Sequence, residues 1–127
     1  MIVAIGIDLA EISRLEEKLA RSNTRFRDRV FTPIEIAYCE SRASRFASYA
    51  VRFAAKEAAM KALGTGWAEG VSWQEIEIVN NEAGAPSIRF SGRTLERFNE
   101  LGATRAHVTL SHSRDTAIAQ VIFESES

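Results

Sequence analysis

The chain has 127 residues, of which 46% are hydrophobic and 26% charged, and its net charge is −1 at pH 7. This length and composition predict one globular domain spanning residues 1–127 and exclude an intrinsically disordered chain. The near-neutral charge disfavours nucleic acid and membrane surfaces as partners. One cysteine excludes an intrachain disulfide, and the N-terminus lacks the pattern of a signal peptide or a membrane span. A cytoplasmic protein is the simplest interpretation.

The first half of the chain predicts one strand followed by helices. Residues 2–9 are a continuous apolar run, typical of a strand that is buried on both faces. A helical period follows over residues 11–23. The sequence Thr-Pro-Ile-Glu at 32–35 is a capping-box start for a short helix of about two turns. An alanine-rich helix is predicted over 45–63, with Gly64 in the left-handed position that ends it.

The second half of the chain predicts mostly strands. A polar turn at 80–86 joins the first pair of strands, and a polar turn at 111–115 joins the second pair. A helix over 94–101 separates the two pairs. This irregular alternation of helices and strands indicates an α+β fold. The predicted strands are 73–79, 87–90, 107–110 and 117–123.

Two acidic residues occupy apolar surroundings. Asp8 ends the first strand, and Glu57 shares a face of the long helix with Lys61. Each has an ordinary explanation, because Asp8 can cap a strand or helix end and Glu57 can pair with Lys61 at i,i+4. Together, however, the three residues predict a site for a diphosphate ester, since Mg²⁺ is usually held by one or two carboxylates plus phosphate oxygens and water. Gly6 leaves room beside Asp8 for a ligand or another backbone.

A basic stripe is predicted on the first long helix. Arg14, Lys18, Arg21 and Arg25 follow the spacing i, i+4, i+7 and i+11, so they share one line if the helix continues that far. Such a stripe is most often a solvated face. Four like charges nevertheless repel one another, which indicates an acidic partner. A non-enzymatic module that docks acidic proteins and a nucleic-acid binder are alternative hypotheses for the same stripe, the latter disfavoured by the net charge.

Several motifs resemble the bacterial holo-[acyl-carrier-protein] synthase family of 4′-phosphopantetheinyl transferases. The main ones are Ile-Gly-Ile-Asp at 5–8 with Glu-Ile-Ser-Arg at 11–14, and Arg-Phe-Ala-Ala-Lys-Glu-Ala at 52–58 with Lys-Ala-Leu-Gly-Thr-Gly at 61–66. Val-Phe-Thr at 30–32, Gly-Ala-Pro at 84–86 and His-Val-Thr-Leu-Ser-His at 107–112 follow in the order of the family. The resemblance covers essentially the whole chain.

The resemblance implies a 4′-phosphopantetheinyl transferase fold, in which an antiparallel-rich sheet packs with a long central helix. It also implies a homotrimer with active sites at the subunit interfaces. The implied reaction is Mg²⁺-dependent transfer of 4′-phosphopantetheine from coenzyme A to a serine hydroxyl of apo-acyl carrier protein, with release of adenosine 3′,5′-bisphosphate.

The resemblance also assigns roles to individual residues. Asp8 and Glu57 are implied metal ligands, and Glu57 and Lys61 are implied catalytic residues. The implied contacts to coenzyme A are Arg52, Lys61, Gly64, Gly66 and His112. The implied contacts to the acyl carrier protein are Arg14, Lys18, Arg21 and Arg25.

Overall fold

The computed structural model describes residues 1–64 and 72–126, and within these ranges it contains two antiparallel sheets and five α-helices. Strands β1, β5 and β4 form one sheet in that order, and β2 pairs with β3 in the other. This architecture confirms the predicted α+β fold. In chain order the elements are β1 (Ile2–Glu11), α1 (Ile12–Arg21), α2 (Arg25–Val30), α3 (Pro33–Glu40), α4 (Arg45–Leu63), β2 (Ile76–Asn80), β3 (Pro86–Phe90), α5 (Gly92–Glu100), β4 (Arg105–Ser113) and β5 (Thr116–Glu124).

Helix α4 packs against the three-stranded sheet at very short range. The buried residues of α4 include many alanines, among them Ala58 and Ala62, whose short side chains let the helix backbone approach the sheet. A Cβ atom on Gly6 would lie 2.0 Å from the carbonyl oxygen of Ala58. Only glycine is compatible with that approach. The sequence predicted that the space at Gly6 admits either a ligand or another backbone, and in the structure the backbone of α4 occupies it.

Strand β1 is buried on one face only, so the prediction that both of its faces are buried is wrong. Gly6 is buried against α4, whereas Ile5, Ile7 and Leu9 on the opposite face are 50–62% exposed. The physical reason is that β1 is an edge strand of an antiparallel sheet that has a helix on one side. The paired residues of β5 continue this outer sheet face, and they are Ile122, Gln120 and Ile118.

The first helix is shorter than predicted. Helix α1 ends at Arg21, Asn23 takes a left-handed φ of 59°, and the separate helix α2, which the sequence analysis missed, begins two residues later. Asp115, in the turn between β4 and β5, caps the start of α1. Its carboxylate accepts hydrogen bonds from the backbone N–H of Ser13 at 2.8 Å and from the Ser13 hydroxyl at 2.6 Å. This distant cap satisfies a donor that has no partner within the helix.

Two further boundaries differ from the predictions. The predicted strand 73–79 begins only at Ile76, because Trp73–Glu75 forms a single 3₁₀ turn. The predicted turn 111–115 shrinks to two residues, since the pairing of β4 with β5 continues to Ser113 and Thr116. His112 therefore lies on a strand and not in a turn. None of the helices in the described ranges has the length and apolar character needed to cross a membrane.

The short helix α3 starts as predicted and also carries a buried charge. Glu35 Oε1 accepts a hydrogen bond from the Thr32 backbone N–H at 2.8 Å, and Thr32 Oγ1 accepts one from the Glu35 backbone N–H at 3.3 Å, which completes the capping box. The same Glu35 oxygen lies 2.8 Å from Lys56 Nζ of α4, and both side chains are fully buried. Burial lowers the pKa of Lys56, and the charge of Glu35 opposes that shift. The capping motif did not reveal this ion pair.

Candidate active site

Asp8, Glu57 and Lys61 lie together between β1 and α4. Asp8 follows Gly6 on the face of β1 that packs on the helix, and its side chain is only 15% exposed. Lys61 Nζ donates hydrogen bonds to Asp8 Oδ1 at 2.6 Å and to the Ile7 carbonyl at 3.1 Å. Lys61 thus pairs with Asp8 across the two elements. The three residues that the sequence analysis grouped are neighbours in the structure.

The carboxyl groups of Asp8 and Glu57 interact directly. The pKa of Glu57 is raised, first by burial, then by the negative charge of Asp8 and by a hydrogen bond between the two carboxyl groups. The ammonium groups of Lys61 and Lys18 partly oppose this rise. Two neighbouring carboxylates in a partly buried site repel each other, and a shared proton or a bound cation relieves that repulsion.

The donor chemistry of Asp8 and Glu57 fits a magnesium ion. Carboxylate oxygens are hard ligands, and Mg²⁺ is commonly held by one or two of them while water and substrate phosphates fill its other positions. In the part of the chain that the structure describes, no group of three or more His, Cys, Asp or Glu residues is arranged to hold a metal. A complete protein cage is therefore absent from these residues, and the two neighbouring carboxyl groups match the smaller set of protein ligands that Mg²⁺ uses together with water and phosphate.

A second pocket, of about 380 Å³, contains Arg52 and His112. The guanidinium of Arg52 lies 4.3 Å from the centroid of the Tyr38 ring, and one of its terminal nitrogens donates to the side-chain oxygen of Asn80. The buried Nε atom of Arg52 has no hydrogen-bond partner among the described residues. Arg42 approaches the same Tyr38 ring, at 5.5 Å. Two guanidinium groups beside one pocket favour an anionic ligand.

One chain does not bring all predicted site residues together. Arg52 and Glu57 are five positions apart on α4, which places them about 140° apart around the helix axis. The acid pair faces β1, whereas the Arg52 pocket also reaches His112 of β4. Gly64 ends α4 with a left-handed φ of 78°, as predicted, one turn after the predicted catalytic lysine. Gly66 lies outside the described residues.

Helices α1 and α2 together form a basic groove of about 550 Å³. Arg25 contributes from the start of α2 and not from a continuation of α1, because the chain turns at Asn23. Arg29, four residues further along α2, extends the basic surface, and the sequence analysis missed it because α2 was not recognised. The basic face, as used below, consists of Arg14, Lys18, Arg21, Arg25 and Arg29.

Two members of the basic face have acidic neighbours on their own segment of chain. Arg14 lies 4.0 Å from Glu11, and Arg21 lies 4.0 Å from Glu17. All four side chains are largely exposed. Exposed pairs of this kind contribute little, about 0–1 kcal/mol, and exchange partners easily. The arginines therefore stay available to an acidic protein.

Lys18 connects the basic face to the acid pair. Its Nζ atom lies 5.7 Å from the ring centroids of both Phe26 and Phe53. It lines the basic groove and also the adjoining pocket that contains Arg14 and Glu57. A protein docked on the basic face would therefore lie next to the carboxylates.

The raised pKa of Glu57 gives a pH-dependent stability prediction. The native state binds the Glu57 proton more tightly than the unfolded chain does, so the metal-free protein loses stability as pH rises from the ordinary glutamate value of 4.5 through the raised pKa. Glu57→Gln removes this loss. In urea unfolding with a chelator, we expect Glu57→Gln to exceed the wild type in stability at pH 7 but not below pH ~4. The exposed Glu16→Gln is the control, and lower stability of Glu57→Gln at pH 7 would contradict the prediction.

Comparisons with known proteins agree with this geometry. A family model described as the 4′-phosphopantetheinyl transferase superfamily matches residues 4–121. The holo-[acyl-carrier-protein] synthase of Trichlorobacter lovleyi is 47% identical over 125 residues, which cover 98% of this chain and 99% of that protein.

Solved structures show the same relationship. The holo-[acyl-carrier-protein] synthase from Neisseria meningitidis superimposes with a TM-score of 0.89 at 31% identity, covering 98% of this chain and 100% of that one. The enzyme from Bacillus anthracis, solved in complex with CoA (3′,5′-ADP), has a TM-score of 0.81 at 36% identity, with 99% of each chain covered. The chain belongs to the 4′-phosphopantetheinyl transferase superfamily.

Proposed function

We propose that this protein is a holo-[acyl-carrier-protein] synthase, a single-domain cytoplasmic enzyme of residues 1–127. It transfers 4′-phosphopantetheine from coenzyme A to a serine hydroxyl of apo-acyl carrier protein and releases adenosine 3′,5′-bisphosphate. The observation that carries the proposal is the acid pair of Asp8 and Glu57, with Lys61 beside it and the basic face next to it. This arrangement combines a site for a charged diphosphate with a docking surface for an acidic protein.

Asp8 and Glu57 hold the magnesium ion in this proposal. When bound there, Mg²⁺ supplies positive charge that orients the diphosphate of coenzyme A and offsets its negative charge. Lys61 carries a second positive charge within hydrogen-bond distance of Asp8, and its half-exposed ammonium group can reach a phosphate oxygen. Phosphoryl transfer depends mainly on such positioning and electrostatic stabilisation.

The transfer step joins the carrier serine to the phosphorus atom that bears pantetheine. The serine oxygen forms the new P–O bond, and the bond from that phosphorus to the bridging oxygen of the diphosphate breaks. The electron pair leaves with adenosine 3′,5′-bisphosphate. Glu57 also accepts the serine proton in this proposal, directly or through a water, because its carboxylate lies beside the basic face on which the carrier protein docks.

The Arg52–His112 pocket binds the phosphate-bearing adenosine end of coenzyme A in this proposal. Its cationic lining suits a phosphate, and the buried Nε atom of Arg52 is an unused donor among the described residues. Gly64, which ends α4, and Gly66 are proposed contacts to coenzyme A on the family resemblance.

We also propose that the enzyme is a homotrimer with interfacial active sites. The acid pair and the Arg52–His112 pocket lie on different sides of α4. We therefore propose that one coenzyme A molecule contacts the acid pair of one subunit and the Arg52–His112 pocket of another. The outer sheet face supports self-association, because Ile5, Ile7 and Leu9 expose 50–62% of their surface in a contiguous row. Apolar patches of this kind mark protein interfaces.

A transfer assay tests the proposed function. The protein, coenzyme A, Mg²⁺ and an apo-acyl carrier protein should yield carrier with the mass gain of one phosphopantetheine. Omission of Mg²⁺ should stop the reaction, and Glu57→Gln should lower the rate by at least ~100-fold because a metal ligand and proton acceptor is lost. A docking module without enzymatic activity would give no mass gain. Normal turnover of Glu57→Gln at ordinary Mg²⁺ would refute its assignment.

Charge reversal tests the basic face. We expect Arg14→Glu combined with Arg21→Glu to raise the KM for the carrier protein at least ~10-fold, because two attractive charges become repulsive. The KM for coenzyme A should be nearly unchanged, and the salt dependence of the carrier KM should decrease. Arg89→Glu, an exposed reversal on β3 outside the basic face, is the matched control. An equal effect of both reversals would argue against a docking surface on α1.

Sedimentation tests the homotrimer. The wild-type protein should sediment as a trimer, and Ile7→Lys should shift it toward monomer with loss of transfer, because a charge is buried in the apolar contact. Ile34→Lys is a matched control, since Ile34 lies on α3 and is similarly exposed, at 55% against 50% for Ile7. A stable monomer that retains full activity would exclude the interfacial site.

A further inference from the structure

The Glu35–Lys56 ion pair is buried without any solvent contact. Removing two charges from water is costly, and replacing such a pair by apolar groups often leaves a protein equally stable. Stability alone therefore gives a weak reason for placing a lysine at position 56, immediately before Glu57. The contacts of the pair indicate a more specific role.

The ammonium group of Lys56 ties a short backbone segment to α4. A lysine has three N–H donors. Lys56 Nζ uses them on Glu35 Oε1 at 2.8 Å, on the Trp73 carbonyl at 2.9 Å and on the Ile76 carbonyl. These two carbonyls lie at the start of the 3₁₀ turn and immediately after it. Glu35 also accepts from the Ile78 backbone N–H at 2.8 Å, which fixes the strand that follows.

The fixed turn places Trp73 against a residue of the candidate active site. The Trp73 ring stacks on Phe53 with a centroid distance of 5.3 Å and an interplanar angle of 23°. Phe53 lies one helical turn before Glu57 and lines the same pocket. A neighbouring groove of about 540 Å³ shares Lys18 and Phe53 with that pocket and is also lined by Phe26 and Trp73.

Lys56 has no direct access to this groove, because its side chain is buried and points about 100° away from that of Glu57 around the helix. The hydrogen bonds of Lys56 connect it to this groove through the turn. Other contacts hold the remaining side chains of the turn: Gln74 Nε2 donates to the Phe31 carbonyl at 3.1 Å, and Glu75 Oε1 accepts from Thr94 Oγ1 at 2.8 Å. Loss of the Lys56 contacts would therefore reorient Trp73 without releasing the whole turn.

We propose that Glu35 and Lys56 are positioning residues of the transferase. They hold Trp73 against Phe53, and the stacked rings of these two residues form an aromatic wall beside Glu57. The kinetic part of this inference rests on the proposed transferase function. The geometric part does not, because the position of Trp73 can be followed without turnover.

The test uses Trp73 as a reporter. The sequence contains two tryptophans, so Trp67→Phe leaves Trp73 as the single one and serves as the reference protein. In that background, Lys56→Met keeps the side-chain length and removes the ammonium group. The double variant Glu35→Gln/Lys56→Met leaves no unpaired charge and keeps one acceptor oxygen, which can serve either the Thr32 or the Ile78 N–H group. Each protein is measured for urea stability, Trp73 fluorescence and near-UV circular dichroism, kcat and both KM values.

The double variant separates positioning from stability. We expect it to regain part of the stability that Lys56→Met loses, because no unpaired charge remains buried, while its Trp73 emission stays red-shifted and its near-UV signal stays weakened. Its kcat should be lower by about tenfold or more, with little change in the KM for coenzyme A. Full stability together with the reference Trp73 spectra and reference kcat would overturn the proposal, since the pair would then be only structural.

Two further variants keep the test decisive. Phe98→Leu changes a core residue that packs on Phe90 and Phe123 and leaves the Lys56 hydrogen bonds to the turn in place, so it should lower stability with little change in the Trp73 spectra and kcat. If Lys56→Met fails to fold, Trp73→Leu in the natural sequence tests the same wall, and a normal kcat would overturn the proposal. If the protein of natural sequence transfers no phosphopantetheine, the proposed function fails, and the Trp73 spectra still decide the positioning role.

Discussion

The contact between Gly6 and the backbone of Ala58 sets the separation of β1 and α4, and the candidate active site depends on that separation. Asp8 follows Gly6 by two residues on the same face of the strand, and Glu57 immediately precedes Ala58 on the helix. Because the elements touch backbone to backbone, carboxyl groups with short side chains reach each other. A Cβ atom at Gly6 would push the helix away and separate them.

Helix α4 carries side chains of different chemical character on different sides of its axis. Its alanines form the contact with the sheet, Glu57 and Lys61 face Asp8, Arg52 faces a cationic pocket, and Lys56 is directed into the protein toward Glu35. The interval of about 100° per residue is what allows adjacent positions to serve separate purposes. One helix thereby fixes the relative orientation of the proposed metal ligand, the proposed phosphate contact and the support for Trp73.

Local sequence signals predicted the features that local interactions determine. The Thr32–Glu35 capping box, the span of α4 and the left-handed Gly64 are as expected, because each depends on residues within one or two turns. The acid pair followed from two unusual carboxylates together with a family resemblance. The pairing of Lys56 with Glu35 and the Asp115 cap on α1 were not predictable, since they join distant segments that only the fold brings together. The exposed face of β1 was missed because an apolar run does not indicate which neighbours cover it.

Strand β1 presents its carboxylate to the helix and its isoleucines to the opposite side, and this alternation constrains how the chain can change in length. Insertion or deletion of a single residue just before Asp8 would exchange the two faces. If the residues before the change keep their register, the charged group would project into the apolar row; if the residues after it do, an isoleucine would meet the backbone of Ala58. Sequence drift can therefore replace residues of β1 other than Gly6 but cannot alter their number, whereas the polar connection between β2 and β3 is under no such restriction.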